Sequence, residues 1–210
     1  MEIQPIETFV FDGLVKRFSE VFQCKTVITT TQDKTRTLKR MFEGREVEYP
    51  YAFLTMGTMA RNNESYVNRM MGRRGLRVMA TDTQSKQARL IPTNFNFEIE
   101  YHTNKFNGIE ATTVTGFARR WLFARDCGYL KFNIQYGHLE TRIGLSLDET
   151  VNTPPLENKV DTEAVYKVTS SLVVHGYVSE PILGSKGIIS EIDLETVLGS
   201  LDGTVFAPFN

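Results

Sequence analysis

The first strongly patterned stretch, ETFVFDGLVKRFSEVFQ, sets Phe11, Leu14, Val15, Phe18 and Phe22 at i, i+3, i+4, i+7 and i+11, with Lys16, Arg17 and Glu20 on the other side. Apolar residues three and four apart share one face of a 3.6-residue turn, so the spacing predicts an amphipathic helix over 7–22. The β-branched run KTVITTT predicts a strand. QDKTRTLKRMFEGREVEYP lacks clean alternation and ends at Pro50, which predicts a loop holding a short helix or ragged strand. YAFLTMGTM reads as a further strand.

From residue 76 the period changes to two. LRVMAT and ARLIPTNFNFEIEYHT predict strands joined by the polar turn DTQSK. In the second, Phe95, Phe97, Ile99 and Tyr101 alternate with Asn96, Glu98, Glu100 and His102, the pattern of one buried and one wet face. A helical stripe of Val114, Phe117, Ala118, Trp121 and Leu122 follows, with Gly128 as its stop. YLKFNIQY and LETRIGLSL alternate again and are joined by Gly137-His138, tight enough for a hairpin.

A polar loop with Pro154 and Pro155 leads to EAVYKVTSSLVVHGYVSEP, a long strand whose alternation slips around Thr169 to Leu172, as a bulge would make it. The remainder holds a candidate short helix at 191–200 and an acidic, glycine-punctuated end suited to an arm onto a neighbour. This order predicts an α+β fold, a mainly antiparallel β-sheet covered on one face by two α-helices. It forms a single domain over 1–182, with a loop excursion and a C-terminal extension or arm over 183–210.

Composition changes this picture little. The chain is 41% hydrophobic and 23% charged, which suits one globular core in 210 residues. Its longest apolar runs, AFLTM and SLVV, fall far short of the roughly 20 residues that span a bilayer. MEIQPIETFVF carries acids where a secretory leader would be basic, so the expectation is a soluble chain that stays in the cytoplasm where it is made. Cys24 and Cys127 lie far apart and predict buried free thiols rather than a disulfide.

Charge changes it more. The net charge of −1 hides a split: residues 25–92 hold 13 Lys/Arg against 6 Asp/Glu, whereas residues 138–210 hold 4 against 11. Opposite patches on one chain suit self-association, because in a ring each subunit offers different surfaces to its two neighbours.

The residues predict no catalytic, metal or cofactor site. His102, His138 and His175 have no metal-ligand spacing, and neither a nucleophile elbow nor a phosphate-binding glycine loop is present. LGSKG lacks the strand-loop-helix setting of a phosphate site and reads as a flexible turn. Glu98 and Glu100 project from one strand face, either as paired carboxylates or as part of a solvated surface.

Two arginine groups are candidate interfaces. Arg119, Arg120 and Arg125 flank Trp121, a pairing enriched in contact hot spots and equally at home on an exposed helix rim. ARNNESYVNRMMGRRGLRV gathers Arg61, Arg69, Arg73, Arg74 and Arg77 around Tyr66. That stretch admits a protein contact, a solvated loop or a nucleic-acid loop. Interspersed glutamates and adaptable methionines favour the protein contact.

The succession YPYAFLTMG, a basic polar segment, LIPTNFNFEIEYHTNKFNGIEATTVTGFARRWLF, LKFNIQYGHLETRIGLSL and YKVTSSLVVHGYVSEP resembles the tail completion proteins of contractile-tailed bacteriophages, the tail sheath stabiliser or tail terminator family. The likeness covers roughly residues 45–182 and lies in the order of elements. It implies a homo-hexameric ring of the virion tail and neck, assembled in the host cytoplasm. Its implied partners are tail tube and sheath proteins, neck or head-completion proteins and DNA passing through the channel. The family carries no catalytic residues or cofactors over to this chain.

Overall fold

A computed structural model describes residues 5–42, 46–62, 76–79, 87–137, 139–154 and 165–181, with the backbone alone described at 76–79, 87, 88, 180 and 181. The element order is α1 (Ile6–Phe22), β1 (Lys25–Thr29), α2 (Lys34–Met41), β2 (Tyr51–Arg61), β3 (Leu76–Met79), β4 (Gln87–Thr103), α3 (Val114–Cys127), β5 (Phe132–Tyr136), β6 (Leu139–Leu147) and β7 (Tyr166–Pro181). The fold is α+β. Its sheet runs β1-β2-β4-β7-β6-β5, and β3 also pairs with β4.

The sheet is mixed. β1 lies parallel to β2 with α2 in the connection, whereas the other described pairings are antiparallel. A parallel pair needs such a crossover, and the TRTLKR stretch that lacks alternation supplies it.

Helices lie on both faces, not on one. α1 and α3 cover the face made by Phe95, Phe97, Ile99 and Tyr101 of β4 with Val168, Leu172 and Val174 of β7. α1 buries Ile6, Val10, Leu14, Phe18 and Phe22 completely. On the opposite face α2 helps close a smaller cluster of Phe42, Tyr51 and Phe53, against which Leu38 and Met41 pack. β2 is buried on both sides over Tyr51–Thr55, and a strand with two covered faces shows no alternation.

α3 turns a different face inward from the expected one. Val114, Gly116, Phe117, Trp121 and Ala124 are buried, while Leu122 stands exposed. The buried arc is centred on Phe117 and Trp121, and small Gly116 and Ala124 let the helix sit close. A stripe read from hydrophobicity alone selects Leu122 over Ala124. Gly128 does stop the helix, in a left-handed conformation at φ 66°.

The expected bulge in the last strand is absent. β7 keeps one continuous register with β4 from Tyr166↔Thr103 to Pro181↔Ala88. The slip lies in its other neighbour, where Leu147 faces Leu172 but Asn152 faces Thr169. A bulge occurs instead in β2, between Met56↔Phe97 and Met59↔Phe95, at Gly57-Thr58. Cys24 is buried as expected, but Cys127 is exposed at the end of α3.

β2 and β3 flank the same side of β4. Arg61 faces Thr93, the Asn62 amide donates to the Pro92 carbonyl at 3.0 Å, and Leu76 faces Leu90. The chain therefore leaves this row after Asn62 and rejoins it at Leu76 about 7 Å further along, at roughly 3.4 Å per strand residue. The basic segment is an insertion in what is otherwise one long strand.

Candidate functional site

The wet sheet face concentrates polar side chains on β4, because every second residue there points away from α1 and α3. Asn94, Asn96, Glu98, Glu100 and His102 form this row, with His175, Ser171, Thr169 and Lys167 beside them on β7. Glu100 is its anchor. Lys34 Nζ lies 2.6 Å from Glu100 Oε1, and Lys167 Nζ lies 3.0 Å from the same oxygen. Burial opposes ionisation of this carboxyl, but hydrogen bonds and charge from the two lysines prevail and hold it below the usual carboxylate range.

His102 stacks on Tyr51, with ring centroids 4.8 Å apart and planes 12° apart, and meets Phe53 edge-on at 5.9 Å. Its Nε2 is 3.8 Å from Glu100 Oε2, beyond hydrogen-bond reach. Burial pushes the imidazole below its ordinary range despite the nearby carboxylate, and the two lysines push it further. It is neutral at pH 7, so the contact with Glu100 is not an ion pair.

Further along, Asn94 Oδ1 lies 2.9 Å from His175 Nδ1, and His175 Nε2 lies 2.7 Å from Ser146 Oγ. Ser171 Oγ donates to Asp148 at 2.8 Å, and Asn96 donates to Thr58 Oγ1 at 2.6 Å. These bonds tie β2, β4, β7 and β6 together across the face. Glu98 remains exposed. The Glu98 and Glu100 pair thus divides into a lysine-locked carboxylate and a solvated one. Sequence reasoning missed Lys34 and Lys167, which lie 66 and 67 residues from Glu100; the parity of β4 was the only available signal.

No protein-family model matches the chain, and no curated protein matches it in sequence.

The sequence-derived interface residues fall in three places. Tyr66, Arg69, Arg73 and Arg74 lie outside the described residues, as do His138, the candidate helix at 191–200 and the LGSKG turn. Arg61 is exposed at the end of β2, and Arg77 lies in β3 opposite Arg89. Arg119, Arg120 and Trp121 sit on α3 with three different roles. Arg119 is exposed, its guanidinium 5.8 Å from the Phe123 ring centroid. Arg120 is half-buried and donates to the Val21 carbonyl at 2.6 Å, satisfying an end group of α1.

Trp121 corrects the expectation. It is fully buried, packed near Phe22 and Phe117, and its Nε1 donates to the Asp148 carbonyl at 2.9 Å. An interface rim needs access that this indole lacks. The exposed large hydrophobic residues of α3 are Leu122 and Phe123, which the sequence could have suggested had Ala124 been ranked as the buried one.

Proposed function

We propose that this chain is a structural virion protein, a ring-forming tail terminator that caps the tail tube, stabilises the sheath and joins the tail to the neck. The reading rests on the order of elements and is supported by one structural observation above all. The sheet ends in β1 and β5, whose outer edges carry no strand partner among the described residues. An unpaired edge is a template for another chain, and two different edges suit the heterologous contact of a ring. An open cleft of about 670 Å³, lined by Cys24–Ile28 of the β1 region and by Ser19, Thr37, Arg40 and Met41, leaves room beside the first edge.

The role is assembly rather than catalysis. Self-association closes the ring, while tube, sheath and neck proteins meet its two faces. The protein works in the virion tail and neck after assembly in the host cytoplasm. The basic segment inserted between β2 and β3 contacts an acidic surface on an adjacent subunit or ring.

Electron micrographs of the purified protein, alone and mixed with tail tubes, test this reading. Closed rings or capped tube ends are expected, and particles that stay monomeric in both preparations would sink it. Reversing Arg73 and Arg74 to glutamate should leave the fold intact and abolish joining. DNA binding that falls steeply with salt, without rings, would instead favour a nucleic-acid-binding module using residues 61–77.

A further inference from the structure

α2 is held to the sheet by less than the other two helices. α1 and α3 bury whole side chains in the main core, whereas no residue of Lys34–Met41 is buried. Its inner side is Lys34, Thr37, Leu38 and Met41, at i, i+3, i+4 and i+7, while Arg36, Lys39 and Arg40 are exposed. That side is fastened by Lys34 on Glu100, by a 3.0 Å hydrogen bond between the Thr37 and Thr29 hydroxyls, and by Leu38 and Met41 against the Phe42 cluster. This small cluster shares no residue with the main core, so α2 can leave without disturbing the packing of α1 and α3.

Two titratable groups lie beneath the contact. Glu100 is 17% exposed and His102 16%. Lys34 reaches Glu100 from α2 and Lys167 from β7, while Glu98, two residues away on the same face of β4, is exposed to water. His102 is faced by the Tyr51 and Phe53 rings of β2, with Tyr49 beyond Tyr51, and by Glu100 and the same two lysines. Burial raises the Tyr51 phenol, so it carries no charge in acid. His102 Nε2 is buried and makes no hydrogen bond.

Proton uptake works against the contact at both groups. A protonated imidazole adds a positive charge beside two ammonium groups that already share Glu100, and it buries an N–H with no acceptor. Protonating Glu100 leaves Lys34 and Lys167 side by side without a counter-charge, and Arg36, Lys39 and Arg40 can only add to that charge. Both folded values are depressed, so the stabilisation is lost as pH falls through them, below 6.5 for His102 and below 4.5 for Glu100.

We propose that α2 is an acid-released cover: proton uptake by His102 and Glu100 detaches it from the sheet and opens Tyr51 and Phe53 to solvent, while the core under α1 and α3 stays assembled. The release does not depend on ring assembly.

Amide hydrogen exchange of the full chain between pH 7.5 and pH 4 tests this, read by mass spectrometry as protection factors so that the intrinsic pH dependence of exchange cancels. Peptides covering Lys34–Phe42 should lose protection by about tenfold or more, since each group contributes up to about tenfold per pH unit below its folded value. Peptides from α1 and α3 should keep theirs. Glu100→Gln, which keeps the shape and removes the charge, should lower α2 protection already at pH 7.5. His102→Phe should confine the loss to pH below 4.5. Parallel loss in α2 and α1 is global unfolding and overturns the proposal, as does α2 protection that is the same at both pH values, high or low. If Glu100→Gln fails to fold, seen as lost α1 protection, the wild-type series and His102→Phe still decide.

Discussion

Lys34, the first residue of α2, and Glu100, near the end of β4, approach to 2.6 Å, and this contact ties the crossover helix to the wet face of the sheet. Glu100 is only 17% exposed, so its charge depends on its lysines rather than on water. Replacing Lys34 with methionine should destabilise the fold by about 1–2 kcal/mol at neutral pH, the scale of a charge-assisted hydrogen bond. Lys167 keeps the carboxylate partly paired. Urea denaturation at pH 7 measures the loss.

The same carboxyl sets a pH dependence. Its folded value is depressed, so its stabilisation is complete above its ordinary value of 4.5 and disappears as pH falls through the folded value. Glu100→Gln should flatten that acid limb of stability. An acid limb identical to wild type in denaturation midpoints across the acid range would show that the contact carries little energy.

His102 contributes at a higher pH. Its folded value is also depressed, so the neutral imidazole stabilises the fold above its ordinary 6.5, and this is lost as pH falls through the folded value. His102→Phe keeps a ring against Tyr51 and removes the titration. The variant should hold its stability as pH drops from 6.5, where wild type weakens, as thermal midpoints in matched buffers would reveal.

Thr113 and Gly116 govern the start of α3. Thr113 Oγ1 accepts from the Gly116 amide at 3.0 Å, and a Cβ on Gly116 would fall 1.8 Å from the Glu110 carbonyl oxygen. Thr113→Ala should cost about 1–2 kcal/mol and Thr113→Ser under about 1 kcal/mol, since serine keeps the cap. Gly116→Ala forces the backbone apart and should cost about 3 kcal/mol, at the upper end of overpacking effects. Denaturant midpoints should fall in the order Thr113→Ser, Thr113→Ala, Gly116→Ala, the last being the lowest.

Trp121 separates stability from assembly. Truncation to alanine should cost about 3–5 kcal/mol, as for other buried large aromatics. Trp121→Phe loses chiefly the bond to the Asp148 carbonyl, about 1–2 kcal/mol, and should leave self-association unchanged below its melting temperature. Light scattering beside a thermal melt distinguishes the two effects.

Much of the fold was legible because local periodicity reflects local burial. The α1 stripe, the alternation of Phe95 to Tyr101, the β5–β6 hairpin and the stop at Gly128 each depend on neighbours a few residues away. Elements buried from two sides were harder to assign. Tyr51 to Leu54 shows no period because Ala52 and Leu54 join the main core while Tyr51 and Phe53 join the Phe42 cluster on the opposite face of β2. The slip near Thr169 misled for a related reason: polar Thr169, Ser170 and Ser171 interrupt the apolar pattern of β7 while its pairing with β4 continues unbroken. Gly57 was the available sign of the actual bulge in β2.

By itself the sequence determined the α+β class, most of the order of elements and which face of β4 is apolar, since these follow from side-chain spacing along one element. Only the tertiary structure decided that α2 crosses to the opposite face, that β2 and β3 flank the same side of β4, and that Trp121 is buried while Leu122 and Phe123 are not. It also brought Lys34 and Lys167 onto Glu100. Each of these depends on which distant strand or helix lies alongside, and that choice is made by packing across the sheet rather than by any period within it.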